Sequence, residues 1–487
     1  LNAEDHFSQN PLSVDMKRIT FDRSFNHPLT MPHGKLVPLM VDEIYPGDTV
    51  EIDTSLLVRL LAPATPVMDD LYFDVFGFFV PNRLTWEHWK EFCGENNTTY
   101  WTQPTVYNVP QMTIPTGSRS AGDLADHMGI PFITQTGSSV AITFNALYPR
   151  GYVKIWNDWF RNEVIQPPVL LSVADTQSTV INTLLPVNRV HDYFGSAFPS
   201  PQKGTAAIVA LKGTIPVSSN TANADSSSST ANVSVNDIRQ AFAEQRIMEK
   251  LSYGSRYIEM VAEIFGVRSP DARVQRSEFL GSGRIHINMQ DIVQTSGTDI
   301  ASGATTTPQG TLTGYSKTLD KPLHIFKSFT EHGILYILAC ARHRRTYCQG
   351  LNRIFSRKKF LDYYMPTLAH LPPQEILSQE IFYGDQAADI TTFAYQERWA
   401  ELRYKPSYAS GLMNARVSGT LGLAWTYVDN YASRPSFNST WIEEGDAEVL
   451  RTMTVTNQDP YMVDAYFKFK HTRVMPVFSV PGLVDHF

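Results

Sequence analysis

Hydrophobic positions along this chain mostly alternate with polar ones or run together over strand-length stretches. After the turn at Tyr45-Pro-Gly-Asp48, Val50 and Ile52 alternate into Leu56–Leu61 within the apolar stretch Val37–Ala62. That spacing puts one face of a strand in a core. Asp70–Val80 (Leu-Tyr-Phe-Asp-Val-Phe-Gly-Phe-Phe-Val after Asp70) is dense in β-formers, stops at Pro81 and predicts a buried strand. Gly333–Arg342, Val449–Val455 and Tyr466–Val474 read as further strands, so strands sit near both ends of the chain.

Helical spacing lies between them. A short helix is predicted from Leu84 to Gly94, with Thr85 as cap, Trp86, Trp89 and Cys93 on one face, and Gly94 as the left-handed stop. Ser120-Ala-Gly-Asp123 resembles a capping box opening a second short helix that Gly129 ends. Tyr152, Ile155, Trp156, Trp159 and Glu163 follow a helical stripe. A helical pair runs from Asp237 to Phe265, interrupted at Gly254-Ser255. Its second half puts Tyr257, Ile258, Val261, Ile264 and Phe265 on one face, and Gly266 with Pro270 ends it. Residues 218–235 form a Ser/Thr/Asn/Ala stretch with too little apolar surface to order itself, predicting an exposed loop over 205–236. It reads either as a tolerated surface insertion or as a partner-facing loop with Asn220, Asn223, Asp225 and Ser228 as candidates.

The 487 residues show no repeat and no linker that separates two self-sufficient halves. Abundant aromatics and 30 prolines, with few Ala/Leu/Glu/Lys tracts, favour an antiparallel β sandwich with long insertions over a helical bundle. We expect one domain over 1–487, with insertions at about 82–330 and 343–448. The net charge of −7 excludes a globally basic nucleic-acid binder, so any contact with DNA must come from a local patch. Three cysteines (Cys93, Cys340, Cys348) cannot build a disulfide framework and suit a reducing cytoplasm. No apolar run reaches the ~20 residues of a membrane span, and no signal peptide is visible. The chain opens on Leu1 rather than Met, so residues preceding it are expected.

Between Arg342 and Lys359 lie seven Lys/Arg and no acid. Arg342, Arg344, Arg345, Arg353, Arg357, Lys358 and Lys359, interleaved with Tyr347 and Phe355, suit single-stranded nucleic acid, where cations track phosphates and rings stack on bases. Pairing with acids on another subunit, or plain solvation, would use the same residues. A second segment, Phe393-Ala-Tyr-Gln-Glu-Arg-Trp-Ala-Glu-Leu-Arg-Tyr-Lys-Pro-Ser407, concentrates aromatics and arginines, the side chains that dominate protein–protein contacts. It makes Tyr395, Arg398, Trp399, Arg403 and Tyr404 inter-subunit candidates. The apolar ending adds Phe478, Leu483 and Phe487. Catalytic motifs are absent: no Gly-x-Ser-x-Gly, no phosphate-binding loop and no His-Glu-x-x-His. Glu397 and Glu401 read as salt-bridge partners, with Glu401 to Lys405 in the favourable helical order. His191-Asp192 and Asp485-His486 read as structural or interface polar pairs. Cys340, His343 and Cys348 lack a fourth ligand, so no metal and no cofactor is expected, and the cysteines read as small buried hydrophobes.

The Phe393–Ser407 segment and the ending Met475-Pro-Val-Phe-Ser-Val-Pro-Gly-Leu-Val-Asp-His-Phe487 resemble signatures of the major capsid proteins of the Microviridae, small single-stranded DNA phages, particularly the gokushovirus group. So do Phe21-Asp-Arg-Ser24, Leu36–Thr49, Phe79–Trp86, Ile155–Arg161, His191–Phe194 with Pro201–Gly204, Arg256–Glu259, Phe265–Arg273 and Gln349–Arg353, in order along nearly the whole chain. The departures are the short Ser-rich stretch and the strongly basic Ser356-Arg-Lys-Lys359. The resemblance implies an eight-stranded jelly roll that assembles with itself as sixty copies in a T=1 icosahedral shell around circular single-stranded DNA. It also implies a DNA pilot protein, an internal scaffolding protein and a host surface receptor as partners, assembly in the bacterial cytoplasm, and a host-facing role for the variable loop. A carbohydrate-active β-sandwich enzyme, which needs two facing carboxylates, and a receptor-binding protein stand as the alternatives.

Overall fold

The computed structural model describes residues 17–61, 63–95, 106–135, 137–177, 179–204, 235–253, 256–295, 298–300, 304–307, 309–384 and 386–477. Ten strands build two antiparallel sheets. In chain order they are β1 (Arg18–Asp22), β2 (Phe25–Met31), β3 (Val37–Ile44), β4 (Thr49–Leu60), β5 (Leu71–Pro81), β6 (Glu278–Ile287), β7 (Thr318–Asp320), β8 (His324–Ser328), β9 (Gly333–His343) and β10 (Tyr461–Val474). In the first sheet β1 and β2 both pair with one edge of β10, β10 pairs with β4, and β7 and β8 share the far edge of β4. In the second the order is β6, β5, β9, β3. Both sheets contribute to one core, where Val50, Ile52, Val58, Phe467 and Phe469 meet Phe73, Val75, Leu335 and Ile337.

The two hydrophobic patterns in the sequence correspond to two different sheets. β4 alternates buried with half-buried positions and β10 buried with mostly exposed ones, because among the described residues no second layer covers the outer face of their sheet as one covers β5 and β9. β5 and β9 are buried on nearly every residue because helix α1 (Leu147–Ile155), widening to a π turn over Trp156–Phe160, covers the other side. The Tyr336 hydroxyl donates to the Tyr148 carbonyl at 2.7 Å and Trp156 Nε1 donates to the Pro186 carbonyl at 2.7 Å, fastening that layer. A second, smaller core forms away from the sandwich from Tyr193, Phe194, Tyr347, Ile376, Phe393 and Trp441.

Several expectations hold at the level of backbone. The turn at Tyr45–Asp48 closes with Asp48 N–H on the Tyr45 carbonyl at 3.0 Å. The helical pair is α2 (Val235–Tyr253) and α3 (Tyr257–Phe265), with Gly266 left-handed at φ 69°. Others need correction. The predicted strand Val449–Val455 is a helical turn, Ala447–Leu450, followed by irregular chain. A short apolar run does not fix its own period, and Arg451 donating to the Leu423, Thr426 and Val428 carbonyls decides the conformation. The helix expected from Leu84 shrinks to Trp89–Phe92, because the Thr85 hydroxyl bonds back to the Asn82 carbonyl at 3.0 Å and closes a 3-10 turn. Asp123, not Ser120, caps Leu124–His127 by accepting Asp126 N–H at 2.8 Å. The sandwich resumes at Glu278, earlier than the insertion limit near residue 330. The loop candidates Asn220, Asn223, Asp225 and Ser228, and the tail candidates Phe478, Leu483 and Phe487 with the pair Asp485-His486, lie outside the described residues.

The contact between α1 and β9 tolerates no side chain at Gly151, where a Cβ would lie 2.2 Å from the Tyr336 hydroxyl oxygen. Gly151→Ala is expected to lower stability in urea by about 1–3 kcal/mol through overpacking. Adding Tyr336→Phe to that variant should restore part of the loss, and simple additivity of the two losses would show that the groups do not collide.

Candidate functional site

The basic segment begins where β9 ends, and its first half turns inward. Arg342 is paired with Asp74, an acid in the otherwise apolar strand β5, with Nε 3.1 Å from the carboxylate. Burial alone would raise the Asp74 pKa, but hydrogen bonds and charge from Arg284 and Arg342 outweigh it and hold the carboxyl below its usual range. Arg345 is deeper still. Its guanidinium is 1% exposed, 2.8 Å from Asp429, 3.3 Å from Glu444 and 3.4 Å from Glu448. Asp429 also receives Arg189 at 3.2 Å, and the charges of Arg345 and Arg189 overcome burial to keep it ionised. Tyr347 is buried in the second core and donates to Asp192 at 2.6 Å. Asp192 also accepts the N–H groups of Phe194 and Gly195, which gives the His191-Asp192 pair its structural role. Arg342, Arg345 and Tyr347 are therefore corrected from DNA-contact candidates to internal braces, since all three already hold intramolecular partners, Arg345 and Tyr347 out of solvent and Arg342 half-buried.

The second half of the segment surfaces beside the Phe393–Ser407 signature. Asn352 caps the helical turn Arg353–Ser356 by accepting Ile354 N–H at 3.1 Å. Arg353 bonds Glu380 at 3.1 Å and Arg357 bonds Glu401 at 3.0 Å. Glu401 lies in helix α4 (Ala400–Arg403), and Lys405 falls beyond that helix, so Arg357 takes the place expected of Lys405. Glu397 pairs with Arg403. The backbone N–H groups of Lys358 and Lys359 both reach Asp362, at 2.8 and 2.7 Å, and their side chains point to solvent. Arg344 is also exposed, 4.0 Å from Asp70.

These two segments wall adjoining depressions of about 420 and 520 Å³. The first has Tyr193, Phe194 and Tyr347 among its lining, with Phe355, Tyr404 and Tyr408 around it. Arg357, Lys358, Lys359, Arg398 and Glu401 line the second. The ground around them is unusually apolar for a surface: Phe355, Phe360 and Tyr408 are 74, 77 and 72% exposed, and Leu361, Tyr363, Tyr364, Leu402 and Tyr404 are exposed as well. Of the inter-subunit candidates, Arg403 and Tyr404 are exposed. Tyr395 is half-buried, its backbone bridged to Phe198 at 2.7 Å in both directions. Arg398 lies over its neighbour's ring at 5.2 Å. Trp399 is corrected: it is buried within its own subunit, donating from Nε1 to the Leu368 carbonyl at 3.1 Å, with a left-handed backbone at φ 67° that the packed ring holds in place.

Glu401, read as a salt-bridge partner, pairs with Arg357. Sequence reasoning missed the other acids: Asp74, Asp429, Glu444 and Glu380 each neutralise a member of the basic segment from another part of the chain. Only Asp74 carried a local signal, as a lone carboxylate inside an apolar strand that must find a cation. His33 and Glu444 also went unseen as partners of His343, which the sequence groups only with Cys340 and Cys348; all three are fully buried together. Cys340 is a buried small side chain as expected, but Cys348 is half-buried and Cys93 exposed; all three are free. Among the described residues no helix is long and apolar enough to cross a membrane.

Comparison with known proteins places this geometry in context. Residues 10–233 and 221–483 match the family described as capsid protein (F protein). The chain is 32% identical to capsid protein VP1 of Bdellovibrio phage phiMH2K, over 99% of this chain and 98% of that protein. It is 31% identical to capsid protein VP1 of Chlamydia phage 1 (99% and 98% covered) and 31% identical to that of Spiroplasma virus 4 (98% and 96%). The alignment with the Chlamydia phage protein spans 598 residues, longer than this chain, so that relative carries insertions this one lacks.

The division between braces and surface cations is measurable. Arg345→Gln leaves buried carboxylates without their partner and is expected to cost about 3–5 kcal/mol in urea denaturation or to abolish recovery of folded chain. Lys358→Gln and Lys359→Gln should each stay within roughly 0.5 kcal/mol. Equal midpoints for the Arg345 and Lys358 variants would refute the division.

Proposed function

This chain belongs to the capsid protein (F protein) family, and from that premise we propose that sixty copies close into a T=1 icosahedral shell around circular single-stranded DNA. It is the major capsid protein of a phage virion, a structural protein rather than an enzyme. The observation that carries the shell reading is strand order. Counting the interrupted edges β1/β2 and β7/β8 as one strand each gives eight strands, ordered first–eighth–third–sixth in one sheet and second–seventh–fourth–fifth in the other. That order fits the connectivity of an eight-stranded jelly roll, an architecture of viral capsid subunits. The aromatic ground around Phe355, Phe360, Tyr404 and Tyr408 supports extensive burial against neighbours, since a monomer rarely leaves so large an apolar patch bare.

DNA contact, in this reading, rests on the cations that remain exposed, namely Arg344, Lys358 and Lys359, with Phe355 offering a ring for stacking. Sixty chains of net charge −7 bring roughly 420 negative charges to the shell, so local patches and small cations must balance the phosphates. Host attachment fits the polar Ser-rich stretch, where the two family matches meet. The three free cysteines suit assembly in the host cytoplasm, alongside a DNA pilot and an internal scaffolding protein.

Cryo-electron microscopy of the purified full chain should show closed particles with sixty equivalent subunits, and a soluble monomer or trimer would overturn the shell. For the DNA face, the variant Arg344→Gln/Lys358→Gln/Lys359→Gln is expected to assemble yet package less genome. Its log–log salt dependence of DNA binding should flatten by roughly 0.7 for each phosphate the variant no longer neutralises. A variant that fails to assemble while its subunits keep their DNA affinity would reassign the patch to subunit contact.

A further inference from the structure

Behind Arg345 three side chains from distant segments converge out of contact with solvent. His33 stands just before β3, His343 ends β9, and Glu444 lies in the chain leading to β10; all three side chains are 0% exposed. His33 Nε2 is 3.0 Å from Glu444 Oε1 and 3.1 Å from His343 Nδ1, and His343 Nδ1 is 2.6 Å from the same carboxylate oxygen. The charge of Arg345, 3.3 Å from Glu444 Oε2, favours the ionised carboxylate.

With Glu444 ionised, protons satisfy this triangle poorly. If both ring nitrogens carry a proton, both donate to Glu444 Oε1, which already accepts the His343 backbone N–H at 3.2 Å, so three donors crowd one oxygen with two of them only 3.1 Å apart. If either nitrogen is bare, its lone pair opposes the carboxylate lone pairs at 2.6 or 3.0 Å. A cation on the triangle removes every conflict, because all three atoms then present lone pairs to it.

We propose that His33 Nε2, His343 Nδ1 and Glu444 Oε1 form a structural binding site for one first-row divalent transition-metal cation of the zinc class. Bonds of about 2.0–2.1 Å let one ion touch all three donors at these separations. Two imidazoles and one carboxylate are a ligand set such ions accept, and three protein ligands leave a further position for water. The surrounding groups orient the donors. His33 Nδ1 is 2.8 Å from the Tyr461 hydroxyl, whose oxygen can accept a hydrogen bond from Nδ1–H and fix the ring with a bare Nε2 inward. His343 Nε2 has no hydrogen-bond partner, so nothing holds that ring in the opposite tautomer. Arg345 and Arg189 face Asp429, Glu444 and Glu448, leaving one net negative charge before any ion is added.

The backbone is built for the same junction. Gly34, left-handed at φ 71°, presses against the Glu444 carbonyl so closely that a Cβ there would lie 2.2 Å from its oxygen. Val187 N–H donates to the Gly34 carbonyl at 2.9 Å and Glu444 N–H to the Val187 carbonyl at 2.8 Å, holding the His33 and Glu444 segments side by side. An ion here would staple both sheets' connections to the segment that precedes the last strand.

The test is the metal content of the purified full chain, assembled or not, by mass spectrometry after dialysis without chelator. About one first-row divalent ion per chain is expected. Stripping with a chelator should lower the melting temperature by a few degrees, and added Zn²⁺ should restore it. Cobalt(II) added to stripped protein should give visible absorption bands from a nitrogen/oxygen site, and Glu444→Gln should remove both the bands and the Zn²⁺ shift while the far-ultraviolet dichroism stays native. Should Glu444→Gln fail to fold, His33→Gln, which keeps an amide donor in place, serves the same comparison. Protein that carries less than about a tenth of an ion per chain and takes up neither Zn²⁺ nor Co²⁺ after stripping overturns the site, as does an unchanged Zn²⁺ shift in a folded variant.

Discussion

The structure depends on a buried guanidinium. Arg345 sits out of solvent between the sandwich core and the smaller core, bonded to Asp429 and in contact with Glu444 and Glu448. Asp429 passes the connection on to Arg189, which stacks 4.4 Å over Trp441 in the second core. Glu444 returns it to the sandwich through His33 and the end of β9. An ion cluster of this kind contributes little net stability relative to apolar packing of the same volume, yet it is severe on any arrangement that leaves one member unpaired. Its effect here is to fix how the inserted residues 344–460 sit on the strands they interrupt.

That arrangement sorts the basic segment into two populations. Cations nearest β9 are spent on internal acids, and those farther along remain at the surface among exposed rings. A shell subunit needs both kinds of residue: rigid internal braces that keep its shape while neighbours pull on it, and adhesive outer ground. The aromatic-rich signature serves each purpose with different members. Trp399 is packed inward in a strained backbone, whereas Arg403 and Tyr404 face outward from the adjoining helix and its exit.

The strands β4, β5, β9 and β10 were readable because each alternating or continuous run stated its own burial, whereas β1, β2 and the strands β6, β7 and β8 within the expected insertion were not. β4 alternates since its sheet has one wet face, and β5 does not since α1 covers it. Val449–Val455 misled because its apolar residues pack as a helical turn around Arg451, a tertiary effect with no local trace. The chemistry of the basic segment was the least legible part. Arg345 and Asp429 are 84 residues apart and Arg342 and Asp74 are 268 apart, so the charges within one window could not reveal that their partners were already supplied. The His33, His343 and Glu444 cluster was invisible for the same reason, since spacing rules detect ligands only when they are close in sequence. Resemblance to capsid proteins supplied the family, which composition could not.

The place of β10 has a consequence for biosynthesis. This strand, Tyr461–Val474, is made after every other strand of the two sheets, yet it lies in the interior of its sheet, hydrogen-bonded to β1 and β2 on one side and to β4 on the other. Until the ribosome has released it, strands near the start of the chain wait with open edges on both sides of a gap, a configuration prone to pairing with other chains. Folding of the first sheet must therefore wait for the last of its strands, and a chain terminated before that strand lacks the element that joins its two halves. Such a product has no closed sandwich to offer a growing particle, so the topology itself screens out incomplete subunits before they can be incorporated.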